Sequence, residues 1–376
     1  MRPRVTSDPQ AFVIPCLIAF MDPPIKNGEV GDWRLSDEDF LASFHLPGAA
    51  DKYDRLKDLH PLPRDARILF NEEMHEYRID GVKAPRSVTG LVHAYGWDFD
   101  AYAAVGAMKK GSRWPEKREA FLTDTGLEME DAEIVELWKR RGNIASARGT
   151  LLHWHAESHL NGRHLELPHS PEFEMFLAVV DVLRLHFGWR PYRTEISLFH
   201  CGLCLAGQAD ALFVDAGGDI VILDWKRTKS IRFDNAFRSL KEPLDHLPDS
   251  NGWLYSLQLN TYRYILESEY GMRVSGMYLA QVHPCLPRAR LIEVPRMEEE
   301  LELIVEDQIH HRGEAISGAL PDARFALPER KGVAQIEPAC ACVSSPHLPW
   351  LYILSALLSL SLSPHVFFSA RAPGSR

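Results

Sequence analysis

The chain has 376 residues, of which 45% are hydrophobic and 25% are charged. These values are ordinary for a soluble globular protein and exclude a disordered or fibrous chain. The formal net charge of -10 argues against a protein coated in positive potential, although nucleic-acid binding requires only a local basic surface. The six cysteines are too few and too scattered for a disulfide framework, which favours a reducing intracellular compartment.

The chain begins with a segment that carries few structural signals. Residues 1–62 are rich in proline and acidic residues and are interpreted as a poorly ordered extension. The apolar patch from Ala11 to Phe20 is broken by a proline and lacks a clear small-residue cleavage pattern, so a signal peptide is not favoured. A β-hairpin is predicted between residues 67 and 81. Ser87 is then predicted to cap a short helix that extends to Val92.

A helical pattern follows, from about residue 98 to residue 160. Within it, Ile134 and Trp138 lie one turn apart, as one buried helix face requires. Residues 63–145 are therefore interpreted as a hairpin and helical subdomain, and residues 146–318 as the domain that carries the chemistry.

A predicted β-hairpin from Leu203 to Lys229 concentrates charged residues. Asp210 lies on its first strand, and Asp224 and Lys226 lie near the end of its second. Strand alternation places Asp224 and Lys226 on one face and turns the residue between them to the other. Two carboxylates and an ammonium group therefore converge. A divalent cation held by the carboxylates, with a phosphate beside the lysine, would compensate such a cluster.

Other candidate site residues lie on the elements before and after this hairpin. His153 and Glu157 are four residues apart on a predicted helix and can therefore point into one site. Glu195 lies on a predicted strand, and Gln258 and Tyr262 lie one turn apart on a later predicted helix. Three more histidines are interpreted as ordinary surface or core residues: His155, His159 and His164.

Basic residues cluster beside the acidic hairpin. The segment from Trp225 to Lys241 contains six basic residues, among them Arg227 and Lys229, against one acidic residue. Its position next to the acids favours a surface that tracks phosphates. A second basic stretch, from Lys109 to Arg118, is equally well explained as a solvated surface. Four aromatic residues of the region could stack on bases, although such residues are more often buried: Trp225, Phe233, Phe237 and Trp253.

The order of these motifs resembles the PD-(D/E)xK nuclease superfamily, in particular the RecB-like branch that includes the mitochondrial genome maintenance exonucleases. The matching motifs are Gly-Thr-x-x-His-x-x-x-Glu, a strand glutamate, Gly-x-x-Asp, Asp-x-Lys and Gln-x-x-x-Tyr. The resemblance covers about Gly149 to Tyr278, and Ala209 stands where the family has a proline before the first acid. It implies an α/β (α+β) fold: a restriction-endonuclease-like core with a mixed central β-sheet flanked by helices, and a helical N-terminal subdomain.

The resemblance also implies roles for the matched residues. His153, Asp210, Asp224 and the backbone carbonyl of Trp225 would hold Mg²⁺ or Mn²⁺, and Lys226 would orient the attacking water and balance the phosphate charge. The remaining matches imply supporting roles. Glu195 would lie beside the metal or hold the supporting helix, and Glu157 would form hydrogen bonds near the ligands. Gln258 and Tyr262 would support the lysine and contact DNA. The implied activity is a metal-dependent DNA exonuclease that acts on single strands or ends in repair, recombination or genome maintenance.

Two alternatives stay open. The first is a nucleic-acid-binding module of the same fold without catalysis, although the matched catalytic positions are filled. The second is a metal hydrolase built on His153, His155 and His159. However, side chains two residues apart on a helix point about 200° apart, so His153 and His155 could not bind one metal ion together. No iron–sulfur cluster is predicted, because Cys201 and Cys204 lie inside the core and the later cysteines do not reproduce the family spacing.

The last part of the chain, residues 319–376, changes in character and is interpreted as a tail unrelated to the core. Its apolar run, residues 349–363, is shorter than the roughly 20 residues that span a bilayer, so a membrane anchor is the less favoured interpretation. Within the cell, the sequence leaves the mitochondrion and the nucleus open as compartments.

Overall fold

The computed structural model describes residues 11–12, 40, 54–72, 74–163 and 170–316. The predicted tail 319–376 with its apolar run, most of the predicted extension 1–62, and His164 lie outside the described residues. Within the predicted extension, a short helix forms at Arg55–Leu59, and no pattern in the sequence had indicated it. None of the described helices is long and apolar enough to cross a membrane.

A mixed sheet occupies the centre of the described fold. Its strand order is β1-β10-β9-β8-β7-β5, and β6 pairs with β7 beside this path. Strands β2, β3 and β4 form a separate small sheet. In chain order the strands are β1 (Ala11–Phe12), β2 (Ile68–Asn71), β3 (Glu76–Ile79), β4 (Val82–Lys83), β5 (Arg86–Ser87), β6 (Arg190–His200), β7 (Leu205–Val214), β8 (Ile220–Arg227), β9 (Val274–Val282) and β10 (Arg290–Glu293).

Some helices cover the two faces of this sheet, and others form the helical subdomain. The helices are α1 (Arg55–Leu59), α2 (Val88–Tyr95), α3 (Ala101–Lys110), α4 (Trp114–Lys117), α5 (Asp131–Leu160), α6 (Pro171–Leu185), α7 (Asn251–Glu269) and α8 (Glu298–Ile316). The predicted mixed sheet flanked by helices, as in a restriction-endonuclease-like core, is thereby confirmed. The predicted cap is also present, since the side chain of Ser87 accepts a hydrogen bond from the Gly90 amide.

The central strands are apolar on both faces because both faces are covered. Residues Ile220–Leu223 are at most 1% exposed, although consecutive residues of a strand point to opposite sides. Leu212 and Ile222 belong to the core that α2, α7 and α8 share, whereas Phe213 and Leu223 belong to the core beneath α5 and α6. The sheet is therefore sandwiched between two helical layers, which fixes strand register strongly.

Strand β7 has one edge that is only partly paired. Along this edge β5 pairs with Leu205 and Ala206, and β8 pairs with residues 211–214. The ladders to these two strands leave out residues 207–210, and α2 begins directly after β5. The predicted hairpin of β7 and β8 is confirmed, and its first acid lies at the end of this interval.

The helical subdomain has a small core of its own. It contains Val105 of α3, Ile134 of α5 and Phe121, which lies between α4 and α5. Helix α5 continues without interruption for 30 residues, so that its first half belongs to this core while Leu152 and Ala156 of its second half pack under the central sheet.

Candidate active site

Strands β7 and β8 stop pairing where the acidic residues begin. The last paired residues are Ala211 and Leu223, so Asp210 and Asp224 stand just beyond the ladder. There the Asp210 carboxylate replaces a backbone partner, because the Trp225 amide donates a hydrogen bond of 2.8 Å to its Oδ2 atom. One carboxylate oxygen of Asp210 is thus fixed by the backbone of β8.

Glu195 reaches the same place from the opposite edge of β7. Its neighbours Thr194 and Ile196 pair with Ala211 and Ala209, which places Glu195 across from Asp210. Glu195 has a φ of 42°, in the left-handed region that is rare for residues other than glycine. The Gln208 side chain holds this backbone by donating a 2.8 Å hydrogen bond to the Glu195 carbonyl oxygen. Such local strain is typical of functional sites.

His153 enters the site from α5. Its Nε2 atom is 3.0 Å from the Trp225 carbonyl oxygen, and since a carbonyl can only accept, Nε2 is the donor. Its Nδ1 atom therefore faces the carboxylates, 3.5 Å from Asp210 Oδ2 and 3.6 Å from Glu195 Oε1. Burial lowers the pKa of His153, but the two carboxylates outweigh it and raise the pKa to about 9.

These three residues can hold a metal ion together. One ligand atom each from His153, Glu195 and Asp210 lies within 4.8 Å of the other two. Two carboxylate oxygens and a ring nitrogen directed at one point repel one another unless a positive charge lies between them. A proton on the ring supplies that charge in the absence of metal, and the oxygen-rich donor set fits a hard divalent cation such as Mg²⁺ or Mn²⁺.

Asp224 lies outside this group of three and pairs with the lysine. Its Oδ2 atom is 2.6 Å from the Lys226 ammonium, and its side chain is 2% exposed. Burial and then the charge of Asp210 raise the pKa of Asp224 to about 6, although Lys226 acts in the opposite direction. Burial alone would lower the pKa of Lys226, but Asp224 and Asp210 outweigh it and raise the pKa, so the ammonium stays charged. The ligand role predicted for Asp224 stays a prediction.

Helix α7 positions the lysine from above. Gln258 Oε1 accepts a 3.5 Å hydrogen bond from the Lys226 ammonium, and Gln258 Nε2 is a donor to the hydroxyl groups of Tyr262, at 3.3 Å, and Thr89, at 3.4 Å. The Lys226 ammonium also lies 4.7 Å from the ring centroid of Tyr255. The Gln-x-x-x-Tyr motif thus contacts the lysine, and its predicted contact with DNA stays a prediction.

Other predicted residues lie elsewhere. Arg227 forms a buried ion pair with Glu172 of α6, at 2.7 Å, whereas Lys229 is exposed in the following loop. Glu157 is half-buried on α5, one turn after His153. The rings of His155 and His159 contact aromatic residues of α6, so they do not join His153.

Two residues near the site were missed from the sequence. Thr89 at the start of α2 touches Gln258, as described above. Tyr77 of β3 is the other: burial raises the pKa of its phenol, and the charges of Glu195 and Asp210 raise it further. The predicted hairpin places Tyr77 on a strand, but nothing in the sequence indicated that the small sheet packs against Phe199 of β6 and Ala206 of β7.

A glycine keeps the partly paired edge of β7 close to α2 and α7. A Cβ atom on Gly207 would lie 2.8 Å from both Tyr262 Cε1 and Val88 Cγ2. We expect Gly207→Ala to destabilise the fold by about 1–3 kcal/mol, because both contacts belong to packed core side chains. Urea unfolding measures this change. Gly142→Ala on α5 is the control, since a Cβ there meets nothing within 4 Å, and a loss no larger than in this control would contradict the prediction.

Comparison with known proteins gives one family match. Residues 169–325 match the model of the PD-(D/E)XK nuclease superfamily. This segment includes Glu195, Asp210, Asp224 and Lys226, whereas His153 lies before it. The search of curated proteins gives no match.

Several solved structures are similar to the chain, and two of them are the following. The crystal structure of SSO0001 is 18% identical in sequence and has a TM-score of 0.24; the matched region spans 60% of this chain and 75% of the SSO0001 chain. The structure called "Putative exonuclease" from Eubacterium rectale is 10% identical in sequence and also has a TM-score of 0.24; the matched region spans 64% of this chain and 90% of that chain. These TM-scores are too low to support a statement about the activity of the chain.

Proposed function

We propose that this protein is a metal-dependent nuclease that hydrolyses phosphodiester bonds of DNA. Within that activity we propose an exonuclease of the RecB-like branch that acts on single strands or ends and serves DNA repair, recombination or genome maintenance. The observation that carries the proposal is the convergence of His153, Glu195 and Asp210 within 4.8 Å, beside the Asp224 and Lys226 pair. The match of residues 169–325 to the nuclease superfamily supports the same chemistry.

The residues divide between metal binding and charge compensation. His153, Glu195 and Asp210 would hold Mg²⁺ or Mn²⁺, with Asp224 as the further carboxylate that the motif order predicts. A bound metal would lower the pKa of a water and neutralise charge that develops on the phosphate. Lys226 stays protonated, and its position beside Asp224 suits it to orient the attacking water and to balance the anionic transition state.

The backbone and the supporting helix fix these groups in advance. The Trp225 amide holds Asp210, the Trp225 carbonyl holds His153, and Gln258 holds Lys226. Little rearrangement is therefore needed when substrate arrives, which is the arrangement that makes electrostatic stabilisation effective. The Trp225 carbonyl was predicted as a metal ligand, and its hydrogen bond to His153 gives it a positioning role as well.

The test is a cleavage assay on end-labelled DNA and RNA, each single- and double-stranded, with Mg²⁺, Mn²⁺ or a chelator. We expect cleavage of DNA with either metal and loss of all cleavage with the chelator, restored when Mg²⁺ is added in excess. The removal of single nucleotides from an end would distinguish an exonuclease from an endonuclease. Cleavage that persists in the chelator would contradict the metal dependence.

Metal binding is measured separately from activity. Titration of the purified protein with Mn²⁺, followed by calorimetry, should show a site that Asp210→Asn weakens, since this change removes one anionic ligand and retains the shape of the side chain. If wild-type protein binds DNA but cleaves none of the substrates with any metal, the alternative of a catalytically inactive binding module of the same fold is correct instead. Full activity of Asp224→Ala would also show that the site is assigned wrongly.

A further inference from the structure

An aromatic residue stands almost completely in solvent on the loop between β8 and α7. Phe237 is 98% exposed. Two further exposed aromatic residues follow α2: Trp97, at 50%, and Phe99, at 70%, whose ring centroid lies 6.1 Å from that of Trp138 on α5. The Trp97 indole donates a 2.9 Å hydrogen bond to the Ser239 carbonyl oxygen, which joins the two segments. We name Trp97, Phe237, Arg238 and Lys241 together the aromatic surface.

The loop that carries Phe237 is held rigidly. Asn235 Oδ1 accepts hydrogen bonds from the amides of Phe237, at 3.0 Å, and Arg238, at 3.2 Å, and its Nδ2 atom donates to the Asp249 carbonyl oxygen at 2.7 Å. The Asp249 amide in turn donates to the Arg238 carbonyl oxygen at 2.9 Å. The backbone at Phe237 is therefore fixed, which reduces the loop entropy that is lost when a partner binds.

Two positive charges lie beside the Trp97 ring. The Lys241 ammonium lies 5.3 Å and the Arg238 guanidinium 6.0 Å from the Trp97 ring centroid. Arg238 also pairs with Asp249, which is 10% exposed and so lies mostly below the surface. Asp98, between the two aromatic residues after α2, offsets part of the charge. Base stacking would thus supply most of the binding energy, and the ammonium and guanidinium groups would donate hydrogen bonds to phosphate oxygens.

The aromatic surface is connected to the active site through α2. Lys241 donates backbone and side-chain hydrogen bonds to the carbonyl oxygens of Tyr95 and Ala94, at the end of this helix. Thr89, at its start, touches Gln258, which holds Lys226. Helix α2 has eight residues, and about 12 Å therefore separate its two ends. This distance lies within the span of the roughly 4–16 nucleotides that single-strand sites contact.

We propose that the aromatic surface binds the bases of single-stranded nucleic acid next to the active site. In a duplex the flat faces of the bases are already stacked on one another, so exposed rings beside cations fit a single strand. The proposal deepens the nuclease function and rests on it for the substrate class. It gives the single-strand preference a physical origin in this chain, a surface distinct from the residues that hold the metal.

Binding without cleavage tests the proposal directly. The affinity of the full chain for a fluorescent oligothymidylate and for a duplex is measured by anisotropy in the presence of a chelator. We expect Phe237→Ala to weaken single-strand binding about 5- to 100-fold, the range of one lost stacking contact, and Phe237→Tyr to bind like wild type. Because Phe237 packs against almost nothing, its removal leaves the fold intact. Leu185→Ala at the end of α6, where the side chain is 66% exposed, is the matched control.

The outcomes separate this inference from the nuclease proposal. Equal affinities of Phe237→Ala and Leu185→Ala would overturn it, and so would an equal loss of duplex binding or no binding of the oligothymidylate by wild type. Stacking-dependent binding by a protein that cleaves no substrate with any metal would support the aromatic surface and overturn the nuclease. Cleavage by wild type with unchanged single-strand binding in Phe237→Ala would do the reverse.

Discussion

Replacing Lys226 by alanine is expected to lower kcat for DNA cleavage about 100- to 1,000-fold, the effect of removing one preorganised charge from a transition state. The ammonium is 18% exposed and lies 2.6 Å from Asp224, so it is held in place before substrate binds. The affinity for DNA should change far less, because one lysine among many contacts contributes little to binding. Single-turnover cleavage and anisotropy measure the two quantities on the same protein.

The control for this prediction is Lys139→Ala on α5. The Lys139 side chain is 68% exposed, and among the ion pairs of the described residues it takes part in one, with Glu136 on the same helix. This substitution removes the same charge far from the acids. A Lys226→Ala protein that cleaves DNA as fast as this control would show that the lysine takes no part in the reaction.

Replacing Glu172 by alanine is expected to lower the free energy of unfolding by about 3–5 kcal/mol, the cost of leaving a buried charge without its partner. Glu172 and Arg227 form an ion pair in which each side chain is 9% exposed. The surroundings are otherwise cationic: burial, and then Arg227 and Lys229, lower the pKa of His283 to about 4, so the imidazole is neutral at neutral pH. No histidine charge is therefore available to compensate the change.

Asp181→Ala provides the comparison on the same helix. Asp181 pairs with Arg184, but these side chains are 53% and 66% exposed, so this ion pair should contribute at most about 1 kcal/mol. Replacing Glu172 and Arg227 together by methionine should restore much of the stability, because it removes both buried charges. Urea denaturation followed by tryptophan fluorescence measures all variants, and equal losses for Glu172→Ala and Asp181→Ala would refute the prediction.

The central part of the fold could be predicted because its signals are local. Alternation placed Asp224 and Lys226 on one face, and the pair indeed meets at 2.6 Å while Trp225 packs against Phe176 on the other side, with 4.8 Å between the ring centroids. The motif order, compared with a known family, brought His153 to the same place from a helix more than fifty residues away in the chain. No spacing rule within this sequence could have given that contact.

The sequence alone could not decide which side chains of this basic region face solvent. Trp225 and Trp253, considered for base stacking, are 1% and 7% exposed and belong to the core, whereas Phe237 is in solvent. All three lie among basic residues, so composition could not separate them. The DNA contact of Arg227 stays a prediction. Its ion pair with Glu172 could not be foreseen, because the position of α6 is revealed only by the tertiary structure.

The continuous helix α5 has a mechanical consequence. An α-helix of 30 residues is about 45 Å long and stiff, and its two halves are anchored in different cores. A movement of the helical subdomain is therefore transmitted along the helix axis, and the ring of His153 on the far half moves with it. A displacement of the subdomain would therefore change the distances from His153 to Glu195 and Asp210 without passing through any loop.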